Sequence, residues 1–430
     1  MSCPSISPRS GAVPLLALLV SAAFGGLPTA AVNAAEVVAA SCQAADVQQA
    51  LNNAPDQATV RVPAGTCDWG SSSVSFAQQK SVWLRGGGSS GSGATLIKRS
   101  GAPGSSFALD FDCSKARRVE LSDFSFQGRH TSVQDGGVRL RNGCRDFKVH
   151  DMAFDGFTAS ALEVRDVRYS DPPYSRGVIY KSRFTNSFNP AVPNEGLGYG
   201  VVVYGSATDI PLELGTAEAV FIEDNYFEAN RHSVASNLAS RYVVRYNQFV
   251  TVNTTRNTSM IDAHGAKMDD TDAGSRSWEV YGNHLTYRGD DYQATGIAMR
   301  GGDGVVFDNL IDYEGSTELG IAHTLRLELE PDCPTYAEPP QQVPGLPRPV
   351  RGQTLGAWIW NNERVWPGGS NNDDRQIYLT NGSSFDCRYY FREGQEYFFF
   401  PKPGYQPFTY PHPLRGLDDV IFDDDFEESN

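Results

Sequence analysis

"TGIAMRGGDGVVFDNLI", residues 295–311, alternates apolar residues with others, turns on glycines, and alternates again. Alternation of period two is a strand signal, so the stretch reads as two short strands joined by a turn. Its second half, "VFDNLI" from Val306, is one copy of a recurring unit: an apolar residue, two variable positions, often an asparagine, one more variable position, then an apolar residue. The other copies are "LSDFSF" from Leu121, "VHDMAF" from Val149, "IYKSRF" from Ile179, "IEDNYF" from Ile222, "VRYNQF" from Val244 and "VYGNHL" from Val280, with a degraded "IWNNER" from Ile359. Successive copies lie 28, 30, 43, 22, 36, 26 and 53 residues apart. Segments this short cannot each bury a face alone, and stacking them as coils of a solenoid is the physical solution. Helical periodicity is nearly absent. The exception is "AADVQQALNNA", where Val47, Ala50 and Leu51 form one apolar stripe suited to covering the open end of a strand stack.

The first half of the opening stretch belongs to a second register, apolar, X, apolar, X and then a turn. It reads "LDFD" (109–112), "VRLR" (138–141), "LEVR" (162–165), "VVVY" (201–204), "VASN" (234–237), "IDAH" (261–264), "IAMR" (297–300) and "LRLE" (325–328). The first and third residues then point inward and the X residues outward. Stacking writes two columns on the outer face. One runs Asp110, Arg139, Glu163, Val202, Ala235, Asp262, Ala298, Arg326; the other runs Asp112, Arg141, Arg165, Tyr204, Asn237, His264, Arg300, Glu328. Neighbouring strands lie about 4.8 Å apart, so each column is a ruler of side chains at that interval.

These units resemble the right-handed parallel β-helix superfamily of pectate lyases and their relatives, and the resemblance covers most of the chain after its leader. It is nearest to the β-helix polysaccharide lyases of the alginate lyase and chondroitinase B type. It implies an all-β fold, a single parallel β-helix of about eight or more coils with three strands each and a short N-terminal capping helix, for which "CQAADVQQALNNAPDQATVRVPAGTCDW" is a match. It also implies a tight bend between the second and third strand of each coil, where Asn225, Asn247, Asn283 and Asn309 fall. These asparagines read as structural, tolerating left-handed geometry and bonding their stacked neighbours.

The first 35 residues read as an export signal: Arg9, an apolar run from Ala12 to Phe24, then small residues ending in Val32, Asn33, Ala34 and Ala35. The run is too short for a membrane span, and the expected location is periplasmic or extracellular. Beyond it, residues 36–395 are assigned to the β-helix and 396–430 to an aromatic, proline-rich and then acidic tail. Cys42, Cys67, Cys113, Cys144, Cys333 and Cys387 remain after Cys3 leaves with the signal. Six cysteines in an oxidising compartment suggest disulfides; proximity favours Cys42 with Cys67, Cys113 with Cys144 and Cys333 with Cys387, with other connectivities open. Formal charge is −15, and −16 once Arg9 is gone (35 basic against 51 acidic residues), which argues against nucleic acid as a partner. A capped β-helix has no general need to associate, so a monomer is expected.

Polysaccharide sites in the resembled family lie on the outer face of the first strand of each coil, where the two columns run. There His264, beside Arg300 and Asp262, is a candidate acid or base near neutral pH. Its bland alternative is a turn residue, and that of Arg300 a salt-bridged surface arginine. Arg141, Arg165 and Tyr204 suit a sugar-binding strip by carboxylate pairing and stacking, or else a charge-balanced surface with Glu163. Asn237 and Asp262 share the columns, while His232 and Lys267 are placed in flanking loops. Asp269, Asp270 and Asp272 in "KMDDTDAG" are weak candidates for a calcium ion; no full ligand loop is spelled out, and no other cofactor is implied. The resemblance suggests β-elimination on an acidic, uronate-containing polysaccharide, where a base takes the C5 proton and a cation neutralises the charge that develops. In these lyases a lysine and an arginine on neighbouring coils take the base and acid roles. Here His264 falls at the lysine, Arg300 at the arginine, and Lys267 three residues past His264. His264 as base is the preferred arrangement; Lys267 as base with His264 binding is the other. A glycoside hydrolase would need convergent carboxylates, of which Asp262 supplies one. Pectin methylesterases are disfavoured, since their glutamine and aspartate motifs are not recognisable. A non-catalytic β-helix that binds polysaccharide or acts in adhesion is the reading from another class.

In the C-terminal stretch, "PDCPTYAEPPQQVPGLPRPVRGQ" reads as an excursion pinned by Cys333, and "FREGQEYFFFPKPGYQPFTYPHPL" as packing over the last coil or along a sheet, with His412 structural. The end, "DDVIFDDDFEESN", is acidic with three apolar anchors.

Overall fold

The structure, a computed structural model, describes residues 35–101, 106–116, 118–131, 135–166, 174–189, 197–206, 210–252, 259–265, 274–288, 295–314, 325–328, 354–371, 377–380 and 392–416. Residues 1–34 of the assigned signal, Lys267, Asp269, Asp270, Asp272, Cys333, Cys387 and the acidic end lie outside them. The chain is a parallel β-helix. Among the described residues its strands form three sheets of ten, twelve and eleven strands, each strand hydrogen-bonded to its counterparts in the coils before and after. Every pairing is parallel except Glu363–Trp366 with Gly369–Asn371 at the C-terminal edge.

The recurring unit is the corner between the second and third sheets. Its first apolar residue is next to last in a second-sheet strand and its last apolar residue lies within the following third-sheet strand, as Ile222 does in Val220–Glu223 and Phe227 in Tyr226–Glu228. The last residues of five successive units, Phe126, Phe154, Phe184, Phe227 and Phe249, stack inside at centroid spacings of 5.6, 5.1, 4.9 and 4.9 Å. Such pairs add about 0.5–1.5 kcal/mol each beyond burial. The asparagines form a buried ladder: Nδ2 of Asn225, Asn247, Asn283 and Asn309 donates to Oδ1 of the next at 3.0, 3.0, 2.9 and 2.8 Å, ending on Asn362 of the degraded unit. Each also donates to a backbone carbonyl of the preceding coil. The expectation that asparagine itself takes the left-handed conformation is corrected. The residue before it does so: Asp224 (φ 56°), Tyr246 (56°), Gly282 (66°), Asp308 (53°) and Asn361 (56°). The asparagine is there for its amide, which serves two coils at once.

The N-terminal end of the stack is closed by a helix. The helix Ala44–Asn53 buries Val47, Ala50 and Leu51. Its Gln48 exchanges two hydrogen bonds with the backbone of Ser75, in the edge strand Val74–Phe76 (2.9 and 2.8 Å). Disulfide Cys42–Cys67 ties the segment before this helix to the third sheet, and Cys113–Cys144 links two first-sheet turns. At the other end Tyr397–Phe398 adds the last strand of the second sheet, so strand pairing continues past residue 395. The chain then runs back along the outer face of that sheet as a strap to Gly416. Under it, Arg245 and Glu223 are fully buried, paired at 2.6 Å. Arg245 donates to the carbonyls of Phe408 (2.7 Å) and Thr409 (2.9 Å). Glu223 accepts from His412 N (2.9 Å) and Arg415 Nη1 (3.0 Å).

Candidate functional site: the outer face of the first sheet

Strand register builds both columns as the alternation predicts. Asp110, Arg139, Glu163, Val202, Ala235, Asp262 and Ala298 pair successively, and so do Asp112, Arg141, Arg165, Tyr204 and Asn237, with His264 and Arg300 next in line. The backbone N–H of His264 donates to Ser236 O (2.9 Å) and that of Arg300 to Ala263 O (2.8 Å), which continues the ladder.

A further column was not visible in the sequence. The ladder skips one residue in each of seven successive coils, at Ala108, Gly137, Ala161, Gly200, Ser233, Met260 and Gly296, without losing register. Phe107, Tyr199 and His232, just before the skip, therefore join the outer side. Phe107 lies 4.8 Å under the guanidinium of Arg139, and Tyr199 packs with Val202 and Ala235. His232 is thus not a loop residue: it opens the strand His232–Asn237, is 4% exposed, and stacks on Tyr199 at 5.6 Å. Its Nδ1 donates to Ser259 O at 2.9 Å, and burial pushes its pKa down to about 4, so the ring is neutral at pH 7. The only signal for it in the sequence was an aromatic residue three positions before the column at Phe107 and again at Tyr199.

The centre of the face is a compact charged group. Asp262 is 1% exposed, and Arg300 grips both of its oxygens, Nε to Oδ1 at 2.9 Å and Nη2 to Oδ2 at 2.6 Å. Burial would push this carboxyl up; the Arg300 charge, helped by His232 and His264, prevails and holds it far below the usual carboxylate range. The Nε2 of His264, whose side chain is 25% exposed, stands 3.9 Å from Asp262 Oδ2. Arg300, at 16%, also reaches the surface. One ionised, buried carboxylate therefore holds an arginine bidentately beside a partly exposed histidine. Asp262 is committed to Arg300, so its direct part is to fix that guanidinium.

The arginines toward the N-terminal end are also paired. Arg141 bonds Asp110 (2.9 Å) and Asp112 (2.8 Å), Arg139 bonds Asp110 (2.7 Å), and Arg165 bonds Glu163 (2.7 Å). Arg165 also lies 4.0 Å over the ring of Tyr204, whose hydroxyl is kept protonated chiefly by burial. Asn237 is half-buried, its Oδ1 accepting from Leu238 N (2.8 Å). Four carboxylates (Asp110, Asp112, Glu163, Asp262) thus balance four guanidiniums (Arg139, Arg141, Arg165, Arg300) along the strip. Among the described residues no group of three or more His, Cys, Asp or Glu could hold a metal ion, and no helix is long and apolar enough to cross a membrane.

No protein-family model matches the chain, and no curated protein matches it in sequence. Among solved structures it is similar to an alginate lyase from Paenibacillus sp. str. FPU-7 (13% identity, 81% of this chain and 98% of that one, TM-score 0.49). It is also similar to the A-module of a mannuronan C-5 epimerase from Azotobacter vinelandii (14%, 85% and 95%, TM-score 0.41). A third is the catalytic unit of a GH87 α-1,3-glucanase from Streptomyces thermodiastaticus strain HF3-3 (12%, 81% and 69%, TM-score 0.38). At these identities and scores the likenesses stop at the path of the chain.

Proposed function

We propose that the protein is an exported polysaccharide-active enzyme, a lyase that cleaves a uronate-containing polymer by β-elimination on the outer face of the first sheet. The observation that carries this reading is the Asp262–Arg300 pair beside His264. A uronate C5 proton is barely acidic while its neighbouring carboxylate is charged, so abstraction needs a fixed cation at that carboxylate and a base within reach of C5. Arg300 supplies the first, oriented by Asp262. His264, one coil or about 4.8 Å away, supplies the second. The imidazole takes the C5 proton, and the C4=C5 double bond forms as the C4–O bond breaks. The leaving glycosidic oxygen takes a proton from water, and the imidazolium gives its own back to the hydroxide so formed. Arg141, Arg165, Tyr204 and Asn237 continue the strip as sugar contacts. Lys267 as base is the other arrangement, and calcium at Asp269, Asp270 and Asp272 would be an accessory to either.

Two magnitudes weigh against a hydrolase. Asp262 is held ionised and has no proton to donate to a leaving group. The next outward carboxylate in its column, Glu163, is three coils away, about 14 Å, whereas glycosidase carboxyl pairs stand about 5–9.5 Å apart. The two disulfides suit an oxidising compartment, periplasmic or extracellular. The test is ultraviolet absorbance of the unsaturated product with alginate, polygalacturonate, glucuronan and glycosaminoglycans, with and without calcium, for wild type, His264→Ala and Arg300→Ala. A rise with one polymer that both substitutions abolish is expected. Retention of a polymer on an affinity gel with no rise would leave a binding protein and overturn the lyase reading for that polymer.

A further inference from the structure

Among the described residues the strap leaves one stretch of the second sheet's outer face uncovered, and that stretch holds a tryptophan. From Tyr397–Phe398 backward, the strap's Tyr405, Phe408 and Leu414 pack on the outward residues of the sheet, and its last contact with an outward ring is Arg415 over Tyr180 (4.6 Å). In the next coils Lys148, His150, Glu120 and Asp151 satisfy one another. Beyond them the outward residues are Thr59 and Trp83 in one column, Arg61 and Arg85 in the other. With Glu36, Gly86, Gly87 and Asp123 these line an open cleft of about 240 Å³.

The cleft is built around a fixed ring. Trp83 is half-buried, and its Nε1 donates to Ser122 Oγ at 3.0 Å, which sets the indole plane. Ser122 Oγ in turn donates to Asp123 Oδ2 (2.7 Å), an oxygen that also takes Arg85 Nε at 3.0 Å. Arg85 lies 5.2 Å from the indole. Across the cleft Arg61, 56% exposed, faces an equally open Glu36 at 3.6 Å, a weak pair that leaves its guanidinium available for a better partner. The site thus offers an aromatic surface, two guanidiniums, two carboxylates and a threonine hydroxyl. With Arg85 committed to Asp123, the loosely paired Arg61 can offset one negative charge but not the two of a phosphate or the many of a polyanionic peptide beside Glu36 and Asp123. A sugar acid presents a C–H face, hydroxyls that both donate and accept, and one carboxylate. The volume lies below the range of about 300–1,000 Å³ usual for drug-sized ligands and suits a single ring.

We propose that this cleft is a second saccharide-binding site, on a different wall of the β-helix from the candidate active site, taking one carboxylated sugar residue. Trp83 carries the ring, Arg61 pairs with the carboxylate, and Glu36 and Asp123 accept from hydroxyls. The ligand class rests on the reading of the protein as acting on acidic polysaccharide, but the site does no chemistry and is measured separately. In an Arg300→Ala background, which keeps the probe intact, the full chain is titrated calorimetrically with short oligosaccharides of galacturonate, mannuronate, guluronate and glucuronate, and run on gels containing the parent polymers. Trp83→Ala and, separately, Arg61→Gln are expected to remove one class of sites and weaken gel retention by about tenfold, with the thermal midpoint little changed. Arg61 is exposed enough that its variant tests the cleft even if Trp83→Ala folds poorly. Titrations and retention identical to the parent in both variants would overturn the site while leaving the lyase reading standing; cleft-dependent binding without turnover by wild type would do the reverse.

Discussion

Because both oxygens of Asp262 lie on Arg300, replacing the acid with its amide should act through the arginine. Asp262→Asn is expected to lower kcat by about a hundredfold, the scale of a misplaced reacting group, with KM far less affected. A double-mutant cycle with Arg300→Gln should show the two losses to be strongly non-additive; additive losses would mean that Asp262 acts on its own. pH bears on other residues. Burial lowers His232 and His412 to about 4 against about 6.5 in an unfolded chain. Between those values the unfolded state binds more protons, so stability rises with pH: it is complete above about 6.5 and falls away toward 4, by at most about 3 kcal/mol per histidine. Asp262 is depressed instead, so its contribution is present above the unfolded value of about 3.9 and fades only below it. Burial raises Asp135, Asp166, Glu279 and Asp303. His150, which burial alone would lower, is raised by the carboxylates of Asp151 and Glu120. These five groups act in the opposite sense, so the histidine share is isolated by comparison. From pH 7.5 to 4.5 the urea midpoint of His412→Gln should fall less, or rise more, than that of wild type. Alternation made His264, Arg300 and Asp262 legible as neighbours, because period two fixes which side chains share a face. It could not show that Asp262 belongs to Arg300, which depends on χ angles, nor that His232 sits outward on a strand, since one skipped residue per coil breaks the parity on which that inference relies.

Among the elements, the asparagine ladder was the clearest, because a bend that bonds to itself in the next coil demands the same residue each time. Asn283 shows what each member does: its amide reaches Asn309 Oδ1 and the carbonyls of Val244 and Tyr281, while its own oxygen accepts from Asn247. Asn283→Ala would leave several of these buried groups unpaired, and a loss of about 3 kcal/mol in urea unfolding is expected. Asn362→Ala, at the partly buried end of the ladder, should lose less than half as much. Equal losses would show that position in the stack does not matter. What the sequence did not distinguish is the left-handed residue preceding the amide, because Asp, Tyr, Gly and Asn all occupy that place. The conformation is imposed by the corner, and side-chain identity carries little trace of it.

At the scale of the molecule, the strap was anticipated only as aromatic packing along a sheet or over the last coil. Its polar half was hidden: Glu223 and Arg245 look like ordinary outward charges in "VFIEDNYF" and "YVVRYNQF". They are buried only because residues more than 160 positions later supply their partners. A chain ending at Gln395 should therefore expose a paired but uncovered Arg245 and Glu223 among Phe221, Tyr281 and Phe307, and bind an apolar dye that the full chain ignores. Failure to bind it would mean that the sheet tolerates solvent there. The strap has another consequence. Coils of a solenoid touch only their neighbours, so a bare stack can fray from an end one coil at a time. Here Tyr405 bonds Glu279, the carbonyl of Thr409 takes Arg245, and Arg415 holds Glu223, bonds that lie on separate coils yet hang from one short segment. None of those coils can leave without disturbing what holds the others. The strap thus turns a row of dominoes into a bundle tied with one cord, and heat should undo the middle of the molecule in one sharp calorimetric transition that becomes broad and stepwise once the cord is cut.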